Sequence, residues 1–106
     1  MGYVYLICDP ATDRFKIGVT RDLKSNRIKK LQTGNSSELF IVHHYETEWP
    51  FRLETMLHKH FRDKHVLNEW FALDVYDVSH FPDLCKMMND NIRALQDNPF
   101  FAKDLK

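Results

Sequence analysis

Long apolar runs are missing from this 106-residue sequence: the longest, such as Val4 to Cys8, span only a few residues. A membrane-crossing helix needs roughly 20, so no membrane partner is expected. The N-terminus has no basic region leading into a long apolar stretch, so no secretory signal is expected either. Cysteine is scarce. Cys8 and Cys85 are the only two, and neither stands in a CxxC pair or another compact metal-ligand spacing. A reduced cytoplasmic setting follows as the expectation, with both thiols packed structurally, because no neighbour in sequence marks an activated thiolate. Internal repeats and polar low-complexity tracts are absent as well, and the chain length suits one domain with a single modest core.

Net charge is also lacking, since 15 Lys and Arg balance 15 Asp and Glu. Taken globally this argues against a nucleic-acid binder, but the average hides a segregated pattern. Between Arg14 and Lys30 lie Arg14, Lys16, Arg21, Lys24, Arg27, Lys29 and Lys30 against the single acid Asp22, whereas the stretch after Leu67 is mainly acidic. A local basic surface holds phosphates whatever the whole-chain sum. On charge alone, a solvated helix face explains the run equally well.

What is present is a regular alternation of patterns. Tyr3 to Cys8 is rich in β-branched and aromatic residues and stops at Asp9-Pro10, which predicts a strand ending in a turn. Arg14 to Thr20 reads as its hairpin partner across a loop around Ala11 to Asp13. Alternation puts Tyr3, Tyr5 and Ile7 on one face opposite Val4, Leu6 and Cys8, and separates Lys16, Gly18 and Thr20 from Phe15, Ile17 and Val19. Asp22 or Thr20 can cap a helix to about Gln32, with Leu23, Ile28 and Leu31 as part of its apolar stripe and Gly34 ending it. Leu39 to Glu46 predicts a third strand, and Glu48-Trp49-Pro50 the start of a second helix with proline in its first turn. On that helix Glu54 and His58, four apart, share a face.

His65 to Asn68 reads as a turn and Glu69 to Leu73 as a short edge strand. Ser79 is expected to cap a last helix with Phe81, Leu84, Met88, Ile92 and Leu95 at helical spacing. The resulting fold class is α+β: a small three-stranded, mostly antiparallel sheet flanked by helices, with an added C-terminal helix. Residues 1–75 would form the core and residues 76–106 a C-terminal helical extension packed on the same domain.

Read in order, Gly2-Tyr3-Val4-Tyr5-Leu6-Ile7, Phe15-Lys16-Ile17-Gly18-Val19-Thr20, a helix bearing Arg27, and Glu54 on a second helix resemble the GIY-YIG endonuclease superfamily. The likeness is greatest to its phage and microbial branch, in which the second signature reads KIG and is followed by an LH pair and an EWF segment, here Leu57-His58 and Glu69-Trp70-Phe71. It covers roughly residues 2 to 73. Each motif is weak alone; their order and spacing make the combination specific.

The resemblance implies a nuclease acting on DNA. Tyr5 would help to activate the attacking water, Arg27 would grip phosphate oxygens with its guanidinium, and Glu54 would bind Mg²⁺ or Mn²⁺, a single carboxylate with waters and substrate phosphate being a familiar way to hold Mg²⁺. Lys16 stands where the family name has its second tyrosine. A phenol with an ordinary pKa of ~10 becomes a base near neutrality only beside a cation or a metal-bound water, so Lys16 would either lower the Tyr5 pKa or hold a phosphate oxygen. His58 would buttress the site, contact phosphate or pack. Tyr3, Thr20, Arg21, Lys24 and Lys30 are the further candidates for substrate contact.

Glu69 reads as structural beside the anchors Trp70 and Phe71, and Gly18 as a point of close backbone approach. His43 and His44, on opposite faces of a strand, do not make a two-histidine metal site. Two alternatives stay open: a DNA-binding module of the same fold without turnover, and a protein adaptor using the acidic C-terminal helix. DNA is the expected partner, with a homodimer or a partner protein as the route to target specificity.

Overall fold

The computed structural model describes residues 1–23, 29, 32–33 and 38–96. The helix expected from Asp22 to Gln32 lies largely outside them, with Lys24, Arg27, Ile28, Lys30, Leu31 and its stop Gly34. So does the segment after residue 96. Lys29, Gln32 and Thr33, which are described, are helical.

The fold is α+β. Strand β1 (Gly2–Asp9) and β2 (Arg14–Thr20) form the expected hairpin, followed by β3 (Phe40–Thr47), α1 (Pro50–His60), a 3₁₀ turn (Arg62–Lys64), β4 (His65–Leu67), β5 (Trp70–Phe71), α2 (Val75–Ser79) and α3 (Phe81–Gln96). At the hairpin tip Asp13 takes a left-handed conformation, φ 56°, and the Asp9 carboxylate accepts from the Ala11 amide at 3.1 Å. This is the local chemistry that makes aspartate a turn residue.

All pairings are antiparallel, and the sheet runs β3-β1-β2-β5-β4. It therefore has five strands where the sequence predicts a three-stranded sheet and a short edge strand: β5 falls in that expected short strand, and β4 is the addition. The chain leaves α1, runs out as β4, reverses at Asn68 in the left-handed region (φ 52°), and returns as β5 against β2. The reversal thus comes at the end of the stretch read as a turn, and β5 is an inner strand with β4 at the edge. β4 has no buried residue, so it carries no alternation from which a strand can be read.

One face of the sheet is covered by α1 and α3. Val4, Leu6, Phe15, Ile17 and Val19 meet Leu53, Leu57 and Phe61 from α1 and its end, Phe71 from β5, and Phe81, Cys85, Met88 and Ile92 from α3. The α3 stripe is rotated from the expected one: Cys85 is fully buried, Leu84 is half-buried and Leu95 is exposed.

Ser79 does not cap that helix. It ends α2, donating its hydroxyl to the Val75 carbonyl at 2.7 Å. α2 has its own cap, a reciprocal box where Asp74 accepts from the Asp77 amide (2.8 Å) and Asp77 from the Asp74 amide (3.1 Å), satisfying two donors that a helix start leaves orphaned. Where β3 ends, the buried Thr47 hydroxyl donates to Asn89 on α3 and accepts from the Trp49 amide, tying β3, α1 and α3 together. Among the described residues no helix is long and apolar enough to cross a membrane.

Candidate active site

Tyr5 occupies the middle of β1, the strand between β3 and β2, opposite His44 on one side and Gly18 on the other. It is buried, 2% exposed, although it points away from the helix-covered face. Its ring lies across Gly18: a Cβ added there would sit 2.4 Å from the phenolic oxygen and 2.5 Å from Cζ. Gly18 is therefore required by the tyrosine, and the close backbone approach inferred from its place in a strand is an approach by Tyr5.

Lys16 and Thr20 flank Gly18 on the same face. Lys16 is a diagonal neighbour of Tyr5, a backbone separation of roughly 7–8 Å. Its ammonium pairs with Glu69 at 2.8 Å and stands 5.9 Å from the centre of the Trp70 ring, Trp70 being its cross-strand partner. This contact gives Glu69 a place at the site that its sequence context did not suggest. Only the pairing of β5 with β2 brings the two residues together, and the EWF segment was the one available signal.

Glu54 is placed by α1. Pro50, at the start of the helix, packs close to Gly2, where an added Cβ would stand 3.2 Å from Pro50 Cγ and 3.1 Å from the Thr20 carbonyl oxygen. At the other end His58 Nε2 lies 3.0 Å from the Ile17 carbonyl, to which it donates. From Pro50 to His58 the helix rises about 12 Å, and from Thr20 back to Ile17 the strand spans about 10 Å. The helix therefore runs alongside β2 in the opposite direction, and the half-buried Glu54 comes level with Gly18 and Val19. The β5 strand covers β2 only as far as the Ile17 amide, which donates to the Glu69 carbonyl at 3.2 Å. His58 satisfies the next group along that edge and packs edge-on against Phe71, ring centres 5.0 Å apart.

The other candidates separate on geometry. Tyr3 sits opposite Glu46, whose carboxylate beside the phenol holds its pKa above the ordinary value, and edge-on to the His44 ring. A neighbouring anion disfavours phenolate, so Tyr3 is poorly placed to act as a base. Thr20 is buried, its hydroxyl donating to the Asp22 carbonyl at 2.8 Å in the turn after β2. Arg21 is exposed. Arg27, Lys24 and Lys30 lie outside the described residues.

His43 and His44 do face opposite sides, His43 bonding to the Val78 carbonyl (3.0 Å) and stacking on Phe81. Both cysteines are free thiols, and burial pushes Cys85 up to about 12, which excludes a thiolate at neutral pH.

Among the described residues no group of three or more His, Cys, Asp or Glu side chains forms a metal cage. The donor set at Glu54 is one hard carboxylate. That chemistry suits Mg²⁺ or Mn²⁺ carried largely by water and substrate oxygens, not a structural zinc. A cavity of about 560 Å³ bounded by Asp13, Arg14, Phe15, Leu73, Asp74 and Val78 contains none of these candidates in its lining. Tyr5 and Lys16 lie on the face of the sheet away from α1, whereas Glu54 is carried by the helix that covers the other face.

A model of the T5orf172 domain, a domain related to phage nuclease domains of the GIY-YIG and HNH-like kind, matches residues 2–86. No curated protein and no solved structure matches the chain.

Proposed function

The chain belongs to the T5orf172 domain family, and from that premise we propose that it is a GIY-YIG-type endonuclease hydrolysing DNA phosphodiester bonds with a divalent metal. The observation that carries this reading is the setting of Tyr5, laid over Gly18 with Lys16 diagonal to it on the same face of the sheet. Hydrolysis of a phosphodiester needs a base for the attacking water, positive charge at the phosphate and help for the departing oxygen.

Tyr5 takes the proton of the water, its phenolate favoured by the Lys16 cation on the same face. Arg27 clamps the non-bridging phosphate oxygens. Glu54 would hold the metal, which when bound would supply charge neutralisation at the phosphate and the leaving oxygen. His58 acts from behind, fixing α1 to β2 through the Ile17 carbonyl and so holding Glu54 at its level. Target specificity would come from a partner protein or a second copy, since cutting both strands takes two sites or two successive nicks.

The expected result is nicking of supercoiled plasmid by the purified chain in Mg²⁺ or Mn²⁺, none in excess chelator, and a strong loss on Arg27→Ala. Equal background nicking by wild type and variant would end the enzyme reading. The Lys16–Glu69 ion pair favours the second reading, a DNA-binding module without turnover, because it already occupies the cation that Tyr5 requires. Salt-sensitive binding that persists in chelator and never yields a cut would select that reading.

A further inference from the structure

Two anions compete for the Lys16 ammonium, whose single positive charge Glu69 already neutralises in part. As a phosphate ligand it must present N–H donors to an anionic oxygen, yet a carboxylate oxygen of Glu69 already accepts from it at 2.8 Å. The pair is not a solvated surface contact of the kind that contributes little, because the Lys16 side chain is only 16% exposed and that of Glu69 35%. Carboxylate and phosphate carry the same sign and seek the same donors. Held side by side on one ammonium they repel, so a phosphate reaching Lys16 binds more weakly unless the carboxylate turns outward.

The architecture permits that movement. Glu69 is also joined to β2 through its backbone carbonyl, which accepts from the Ile17 amide, a bond that does not need its side chain. With the carboxylate gone, the Trp70 ring still flanks the ammonium, 5.9 Å from its centre, and a cation over an aromatic face is retained without a counter-ion.

We propose that the Glu69 carboxylate is a built-in stand-in for a DNA phosphate, occupying Lys16 in the free protein and displaced from it on binding, so that Glu69 sets how tightly the site holds nucleic acid. This rests on the DNA reading given above. Glu69 is thus a positioning residue acting through Lys16, with no contact of its own to the reacting atoms.

The test is binding of the full chain to a short mixed-sequence duplex in chelator, followed by fluorescence anisotropy across a series of salt concentrations. Glu69→Gln keeps the size of the side chain and removes its charge. It is expected to bind about five- to tenfold tighter at low salt, and to steepen the slope of log K against log salt by about 0.9, the release expected for one added phosphate contact. Glu69→Ala should show the same gain.

In a Lys16→Met background the Glu69 changes should have no effect, and Asp63→Asn, an equal change of charge on the 3₁₀ turn, should leave the slope unaltered. An unchanged or weaker Glu69→Gln overturns the proposal, as does a gain that persists without Lys16, which would reflect the general field alone. Wild-type protein that binds DNA in a salt-dependent way while Glu69→Gln behaves identically removes this inference and leaves the DNA reading standing. Absence of salt-dependent binding by wild type removes both.

Discussion

Replacing Glu54 by glutamine is expected to lower metal-dependent cleavage by about three orders of magnitude while leaving DNA binding in chelator unchanged. Glutamine matches the carboxylate in size and keeps one oxygen acceptor, but it loses the negative charge, which is what a hard divalent cation seeks. The helix carrying it should not move. Leu53 and Leu57 on either side are fully buried in the core, and His58 anchors the following turn to β2.

The effect therefore belongs to the site and not to the fold, and unchanged thermal unfolding of the variant checks this. Initial rates of plasmid nicking over a metal titration separate two causes. Recovery at high Mg²⁺ would mean that the side chain contributes affinity only, whereas a loss that persists at saturation would mean that it also orients the charge. Retention of activity within tenfold of wild type would remove Glu54 from the metal site.

How far the sequence reveals this arrangement depends on whether a feature is written locally. The β1–β2 hairpin is legible because Val4 and Leu6 against Tyr3 and Tyr5, and Phe15 and Ile17 against Lys16 and Gly18, alternate over a buried sheet, where a one-residue slip would turn every side chain over. Pro50 marks the start of α1 because its ring suits a first helical turn. β3 begins one residue later than read, at Phe40, the ordinary uncertainty of an element end.

The short strand after Glu69 is legible in its Trp70-Phe71 pair, but β4 is not, for a physical reason: three exposed residues have no period, and the pairing of β5 with β2, which makes β5 an inner strand, is distant in sequence. Asp74 and Asp77 were readable in principle as a box of acids three apart, but Ser79 is the commoner signal and stands beside the longer apolar stripe. At the site, residue types and order nominate Tyr5, Lys16, Glu54 and His58. They do not disclose that Lys16 is held by Glu69 or that His58 reaches Ile17, since both contacts depend on how strands and helix dock.

The dependence of Tyr5 on Gly18 joins fold and chemistry in one residue pair, and it gives two linked expectations. Tyr5→Phe removes only the hydroxyl and should reduce cleavage by about 10² to 10⁴, the range for losing a positioned general base. Gly18→Ala leaves the hydroxyl in place chemically but puts a methyl 2.4 Å from its oxygen and 2.9 Å from Cε1.

A flexible side-chain tip would swing aside. A phenol ring 2% exposed, on a strand paired on both sides, has no such freedom. The ring and β1 must shift together, at about 1–3 kcal/mol for an overpacked interior, with cleavage falling as far as in Tyr5→Phe because the base has left its place. Phenylalanine at position 5 should not rescue the alanine, since the ring carbons collide as well as the oxygen.

Tyr5→Ala should rescue it. In that background the Gly18→Ala methyl meets no ring, so the added loss of stability should vanish, a coupling that denaturant titration of the four proteins in the cycle reads directly. If Gly18→Ala destabilises equally with and without the tyrosine ring, the glycine serves the strand itself, and the packing argument for the position of Tyr5 fails.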